Sequence, residues 1–163
     1  MNAFLGAALL TGLRVRAETH TVYLNNKCGC GTSPMLIRGG QVLSSGANFT
    51  INGPLSSAIA YLQTTSGQQC GFNGEGCALI ETTLTNPVPG RPGSGSSTDI
   101  SLIPPHNFTV PVGFRYFNGC DGNGTECLLA NCSTAFHRPE DTKVQVACQQ
   151  DDVNLEIIFC SQL

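Results

Sequence analysis

Glu81 and Asp99 are the residues whose types and spacing point most directly to chemistry. Each lies within a short apolar, β-branched segment, ALIETTL at 78–84 and TDISLI at 98–103. Charged residues are 12% of the 163, about half the roughly 25% of an ordinary soluble domain. Two acids on neighbouring expected strands therefore stand out. Held several ångströms apart, two carboxylates can cleave a glycosidic bond, one as acid and the other as nucleophile or base. The same pair can also bind a sugar without cleaving it. The plain alternative is that Asp99 caps a loop or bonds backbone amides while Glu81 is a solvated strand residue.

Other groups offer less. Tyr23, Phe72, Phe108, Phe114, Tyr116 and Phe117 could present ring faces to sugars, although Trp is absent. Most of them read as core. Tyr116 and Phe72, beside turns, are the expected exceptions, and Tyr116 joins Glu81 and Asp99 as a ligand contact. Cleavage after Ala17 would leave Glu18-Thr19-His20 at the start of the chain. A free amine, two backbone amides and a third-position His suit Cu(II) in a square plane. The plain alternative there is a leader into the first strand. No other metal site is expected. His106 and His137 lack companions at ligand spacing, and Cys28-X-Cys30 has no second pair. No phosphate loop and no nucleophile elbow occur, and GSGSS at 93–97 falls in a loop. No cofactor is expected.

The elements that must position these residues are short and β-like. Strands are expected near Thr21–Asn25, Met35–Arg38, Asn48–Ile51, Ala58–Thr64, Ala78–Leu84, Asp99–Ile103, Phe108–Phe117, Lys143–Cys148 and Asn154–Cys160. Turn dipeptides such as Gly39-Gly40, Asn73-Gly74 and Asn118-Gly119 separate them. Such spacing suggests a sandwich or barrel. Pro54–Gln63 could also start a helix. The Pro, Gly and Ser of 86–97 form the longest expected loop.

Nine cysteines point to an oxidising compartment and leave at least one thiol over. Ala3 to Leu13 is an apolar run of leader length, too short to cross a bilayer. With Val15 and Ala17 at −3 and −1, residues 1–17 read as a signal peptide and 18–163 as one soluble, secreted domain. Asn48, Asn107, Asn123 and Asn131 each open a glycosylation sequon. The net charge of −3 offers no basic field to nucleic acid or anionic lipid.

Four stretches, in order, carry a family resemblance: VYLNNKCGCGT at 22–32, ALIETTL, SSTDISLIPPHNFTVPV at 96–112, and KVQVACQQDDVNLEIIFC at 143–160. Together they resemble the thaumatin-like protein family, in the manner of its compact secreted fungal members. The resemblance implies an all-β, antiparallel β-sandwich with disulfide-stapled loops. It implies the pairs Cys28–Cys160, Cys70–Cys77, Cys120–Cys148 and Cys127–Cys132, with Cys30 as the free thiol. It places Glu81 and Asp99 in an acidic cleft that in some members binds or weakly cleaves β-1,3-glucan. The cleft Arg of the family falls at Ile59 here, and two of its acids fall at Ser96 and Pro104.

The function so implied is that of a monomeric, secreted, glycosylated protein that binds cell-wall β-1,3-glucan. Its role would be defence, antifungal action or wall remodelling. A second reading makes the same two acids a weak endo-β-1,3-glucanase. A third makes the scaffold a non-catalytic effector or inhibitor of another protein, because scaffold and function are separable.

Overall fold

A computed structural model describes residues 17–64 and 69–161. The expected leader at 1–17 lies outside them, Ala17 excepted. Eleven strands are described: β1 (Thr19–Asn26), β2 (Thr32–Arg38), β3 (Gln41–Ser45), β4 (Phe49–Asn52), β5 (Leu55–Thr64), β6 (Leu79–Leu84), β7 (Ser96–Ser101), β8 (Val112–Phe117), β9 (Gly124–Cys127), β10 (Val146–Cys148) and β11 (Asn154–Phe159). They form a five-stranded sheet, β4-β1-β11-β8-β9, and a six-stranded sheet, β10-β7-β6-β5-β2-β3. No helix occurs among the described residues: after Pro54 the chain runs as β5 rather than as the alternative helix.

Side-chain alternation explains the two layers. Val22 and Leu24 of β1, Phe114 and Tyr116 of β8, and Leu155, Ile157 and Phe159 of β11 point inward from the first sheet. Leu36, Ala58, Ala60, Leu62, Ile80 and Ile100 meet them from the second. Fully burying one such Leu, Ile or Phe contributes about 1.5–3 kcal/mol. One polar chain crosses this core. Tyr116 donates to Val146 O at 2.9 Å and shares a hydroxyl bond of 3.0 Å with Thr98 Oγ1, while Thr98 and Thr82 share another of 2.7 Å. Residues of opposite parity, Ile37, Tyr61 and Leu79, pack a smaller cluster with Cys70 and Cys77 on the outer face of the six-stranded sheet.

Disulfides join Cys28–Cys160, Cys70–Cys77, Cys120–Cys148 and Cys127–Cys132, the pairs that the resemblance implies. Cys30 is a free, exposed thiol. All strand pairs are antiparallel except β1 with β11, which run parallel. Local hairpin reasoning does not see this pairing of first and last strands, 133 residues apart at Val22 and Leu155. Two strands were not anticipated. β3 is an exposed or half-buried edge without apolar alternation, and β9 is a four-residue edge opening on Gly124. The expected strand at 108–117 begins only at Val112, after Pro111.

Candidate functional site

Glu81 and Asp99 are direct cross-strand partners. β6 and β7 pair with Glu81 opposite Asp99, and β5 pairs with β6 so that Ile59 lies opposite Glu81. The flanking residues Ile80, Thr82, Thr98 and Ile100 are buried, and their inward turn aims both acids at the outer face of the six-stranded sheet. Antiparallel partners carry Cβ atoms about 4.5–5.5 Å apart, so the two carboxyls share one site.

That site is a groove of about 280 Å³ whose lining includes Ser57, Ile59, Glu81, Ser97, Asp99 and Gln145. A bulge in β5 between Leu55 and Ala58 sets its wall. There Ser57 takes a left-handed φ of 51° and its amide donates to Thr83 Oγ1 at 3.0 Å. Bulges of this kind re-aim side chains beside functional sites. Gln145, just before β10, donates to Asp99 Oδ2 at 3.5 Å.

The two acids differ in environment. Glu81 is exposed, whereas Asp99 is only 7% exposed. Burial, and next the charge of Glu81, push the Asp99 carboxyl up to about 6; the Gln145 bond opposes this, and a hydrogen bond with Glu81 adds to it. Asp99 Oδ1 and Ser97 Oγ are buried with no hydrogen-bond partner among the described residues. Such atoms are costly to leave unmet. The groove therefore offers a hydroxyl-rich ligand the exposed Glu81 carboxylate, the Ser57 hydroxyl and the Gln145 amide, with the Asp99 acid and the Ser97 hydroxyl beneath them.

Several expectations need correction. Tyr116 is fully buried and its hydroxyl is spent on Thr98 and Val146, so its ring is core rather than a ligand contact. His20 is 1% exposed within β1. Its Nδ1 bonds Val153 O at 2.6 Å and its Nε2 bonds Glu18 Oε1 at 3.0 Å, while the Thr19 amide donates to Asp152 Oδ1. A square-planar Cu(II) site needs these nitrogens free, so this arrangement does not form one. Phe72 is 51% exposed but belongs to the Cys70–Cys77 loop, and it does not line the groove. Ser96, aligned with a cleft acid, is buried and bonded to Thr85 on the inward side. Pro104 is exposed beyond β7. The four sequon residues Asn48, Asn107, Asn123 and Asn131 are all exposed. Gln145, Ser97 and Ser57 were missed. Alternation along the expected strand at 143–148 would have set Gln145 beside Asp99, while the bulge that brings Ser57 in leaves no mark in the sequence.

No family model matches the chain. Thaumatin-like pathogenesis-related protein 4 of Avena sativa is 28% identical over 168 residues, covering 93% of this chain and 94% of the relative. Thaumatin-like pathogenesis-related protein 2 of the same plant is 29% identical over 167 residues, with the same coverage. The structure of the thaumatin-like xylanase inhibitor TLXI superposes with a TM-score of 0.54 at 14% identity, over 87% of this chain and 99% of that one. In sequence the chain is similar to thaumatin-like proteins, and its fold is that of the thaumatin-like inhibitor. The row Ile59–Glu81–Asp99 sets an aliphatic side chain beside the two acids. Four disulfides fit folding in an oxidising compartment.

Proposed function

We propose that this thaumatin-like chain is a secreted, defence-related protein that binds cell-wall β-1,3-glucan in the Glu81–Asp99 groove without cleaving it. The observation that carries the reading is that the two acids, on different strands, line one groove on one sheet face. Sugar hydroxyls can donate to Glu81 and Asp99 and accept from Gln145, Ser57 and Ser97. The names of the Avena sativa relatives support the defence role.

Hydrolysis is the weaker reading. A glycosidase needs both carboxyls at the scissile bond, and Asp99 is buried with Gln145 bonded to one of its oxygens. Ile59 supplies no positive charge beside Glu81.

The test is sedimentation with insoluble β-1,3-glucan. The wild-type protein is expected in the pellet, with Glu81→Gln and Asp99→Asn shifted to the supernatant and no reducing sugar released from laminarin. Wild-type protein left in the supernatant would overturn the proposal. Sugar release that disappears in Glu81→Gln would replace it with the glucanase reading.

A further inference from the structure

The exposed aromatic surface of this molecule is not at the Glu81–Asp99 groove. Among the described residues, besides Phe72 in the Cys70–Cys77 loop, the exposed ring is Tyr23, on the opposite sheet. Tyr23, Phe117, Arg115, Glu156, Asp121 and Gly122 line a cavity of about 520 Å³ on the outer face of the five-stranded sheet. Alternation builds it: Tyr23 of β1 pairs across Glu156 of β11, and Glu156 pairs across Arg115 of β8. Their neighbours Val22, Leu24, Leu155, Ile157, Phe114 and Tyr116 fill the core below.

The polar part of this row is preorganised. Asn25 Nδ2 donates to Glu156 Oε1 at 2.8 Å, and Arg115 Nε donates to Glu156 Oε2. Burial pushes the Glu156 carboxyl up, but these bonds and the charges of Arg115 and Lys27 more than offset it, and it stays below the usual carboxylate range. The two bonds fix its oxygens in place as acceptors. Arg115 spends Nε on the pair while its side chain stays 57% exposed, and its terminal nitrogens bond nothing among the described residues. Tyr23 is 43% exposed beside them.

We propose that this cavity is a second saccharide site, which takes one face of a neutral, β-linked pyranose chain. Tyr23 is the stacking platform, and Arg115 and Glu156 are the hydrogen-bonding arms for adjacent ring hydroxyls. Three observations carry it. The volume falls in the roughly 300–1,000 Å³ range of small-ligand sites. A ring face stands next to planar groups that donate and accept in pairs, the complement of vicinal hydroxyls. The charges balance: Glu156 and Asp121 against Arg115 and Lys27. A strongly charged ligand of either sign would meet as much repulsion as attraction, so the site suits a neutral one. With the Glu81–Asp99 groove on the other sheet, one molecule would hold two strands of polysaccharide, and binding to an insoluble wall would gain from avidity.

The chain itself supplies the probe. It has no Trp and three Tyr, and Tyr61 and Tyr116 are 2% and 0% exposed. Acrylamide in solution therefore reaches Tyr23 alone among its main fluorophores. Laminarihexaose and xylohexaose are the two probes. Saccharide binding is expected to protect tyrosine emission from acrylamide, and the probe that protects distinguishes a glucan from a xylan site. By calorimetry, Tyr23→Phe should keep the affinity, while Tyr23→Leu and Arg115→Met should each lower it by about tenfold, the scale of one good ring or charge contact. Because laminarihexaose also fits the Glu81–Asp99 groove, the calorimetry is done in the Glu81→Gln background, which removes that groove's contribution, and the tyrosine protection should persist there. The proposal is overturned by absence of protection with both probes, by unchanged affinity in Tyr23→Leu in that background, or by disappearance of the tyrosine protection in Glu81→Gln. The second site stands beside the proposed function: the tyrosine readout reports the Tyr23 site alone, and sedimentation of Glu81→Gln combined with Tyr23→Leu against each single variant reports the other groove, so failure of one site is distinguishable from failure of the other.

Discussion

Replacing Asp99 with Asn should stabilise the fold at neutral pH and leave it unchanged in acid. The Asp99 carboxyl is moved from 3.8 to about 6 by burial and by Glu81. Such a displacement corresponds to about 3 kcal/mol of disfavoured ionisation. The sign follows from the proton. Between about pH 4 and 6 the folded chain holds a proton that the unfolded chain has released. Stability contributed by this group is therefore present below about 4, falls as pH rises through 6, and is flat above. Asn carries no charge to desolvate, and its Nδ2 can donate to the Glu81 carboxylate. In urea melts at pH 7 Asp99→Asn should gain up to about 3 kcal/mol over wild type, a rise of roughly 6–12 °C in Tm. At pH 3.5 the two should coincide. Other carboxyls are held low by their partners, such as Glu18 and Glu156, but the difference between variant and wild type cancels them. Glu81→Gln should recover only the smaller part, because burial is the larger cause. A gain equal at pH 3.5 and 7, or a loss at pH 7, would refute the reasoning. A stability gain at the site joined to a loss of ligand binding is the trade expected of a functional acid.

The remaining predictions concern the frame. Removing Cys28–Cys160, which spans 132 residues, by double Ser replacement should cost about 5 kcal/mol on the chain-entropy model, against about 2 kcal/mol for Cys127–Cys132, which spans 5; denaturant melts that rank them the other way would contradict this. Tyr116→Phe strips a buried hydroxyl from Thr98 and Val146 and should cost about 1–3 kcal/mol, with glucan sedimentation unchanged. A fall in sedimentation without loss of stability would restore Tyr116 as a ligand contact. Titration of Cu(II) into protein processed to begin at Glu18 should give no d–d band near neutral pH, since His20 and the Thr19 amide are already bonded; a visible band would show that the first strand releases them.

What was legible in the sequence was local pattern and order. The short β-branched runs ALIETTL and SSTDISLI made their strands readable, but not the face of Glu81 and Asp99, because both strands are buried on most residues and alternation is blurred. The disulfide pairs came from resemblance rather than spacing, because nine cysteines allow many connectivities. The parallel β1–β11 pair was not legible, since nothing local records a contact between chain ends. Tyr116 misled because its neighbours Arg115 and Phe117 and the turn at Asn118-Gly119 suggested surface; the parity of β8 decides otherwise and turns it in against Thr98. His20 misled in the same way: its position near a cleavage site hid its place on the inward side of β1. Tyr23 was read as core, although it lies one residue from inward Val22 and Leu24 and so must face out.

The central claim is that the Glu81–Asp99 face holds a glucan chain. Amide chemical-shift mapping with laminarihexaose at pH 7 tests it most directly. Resonances of Ser57, Glu81, Ser97, Asp99 and Gln145 should move together and saturably, and Glu81→Gln should weaken that response. Saturable binding that leaves these five unmoved, or no binding at all, would contradict the account.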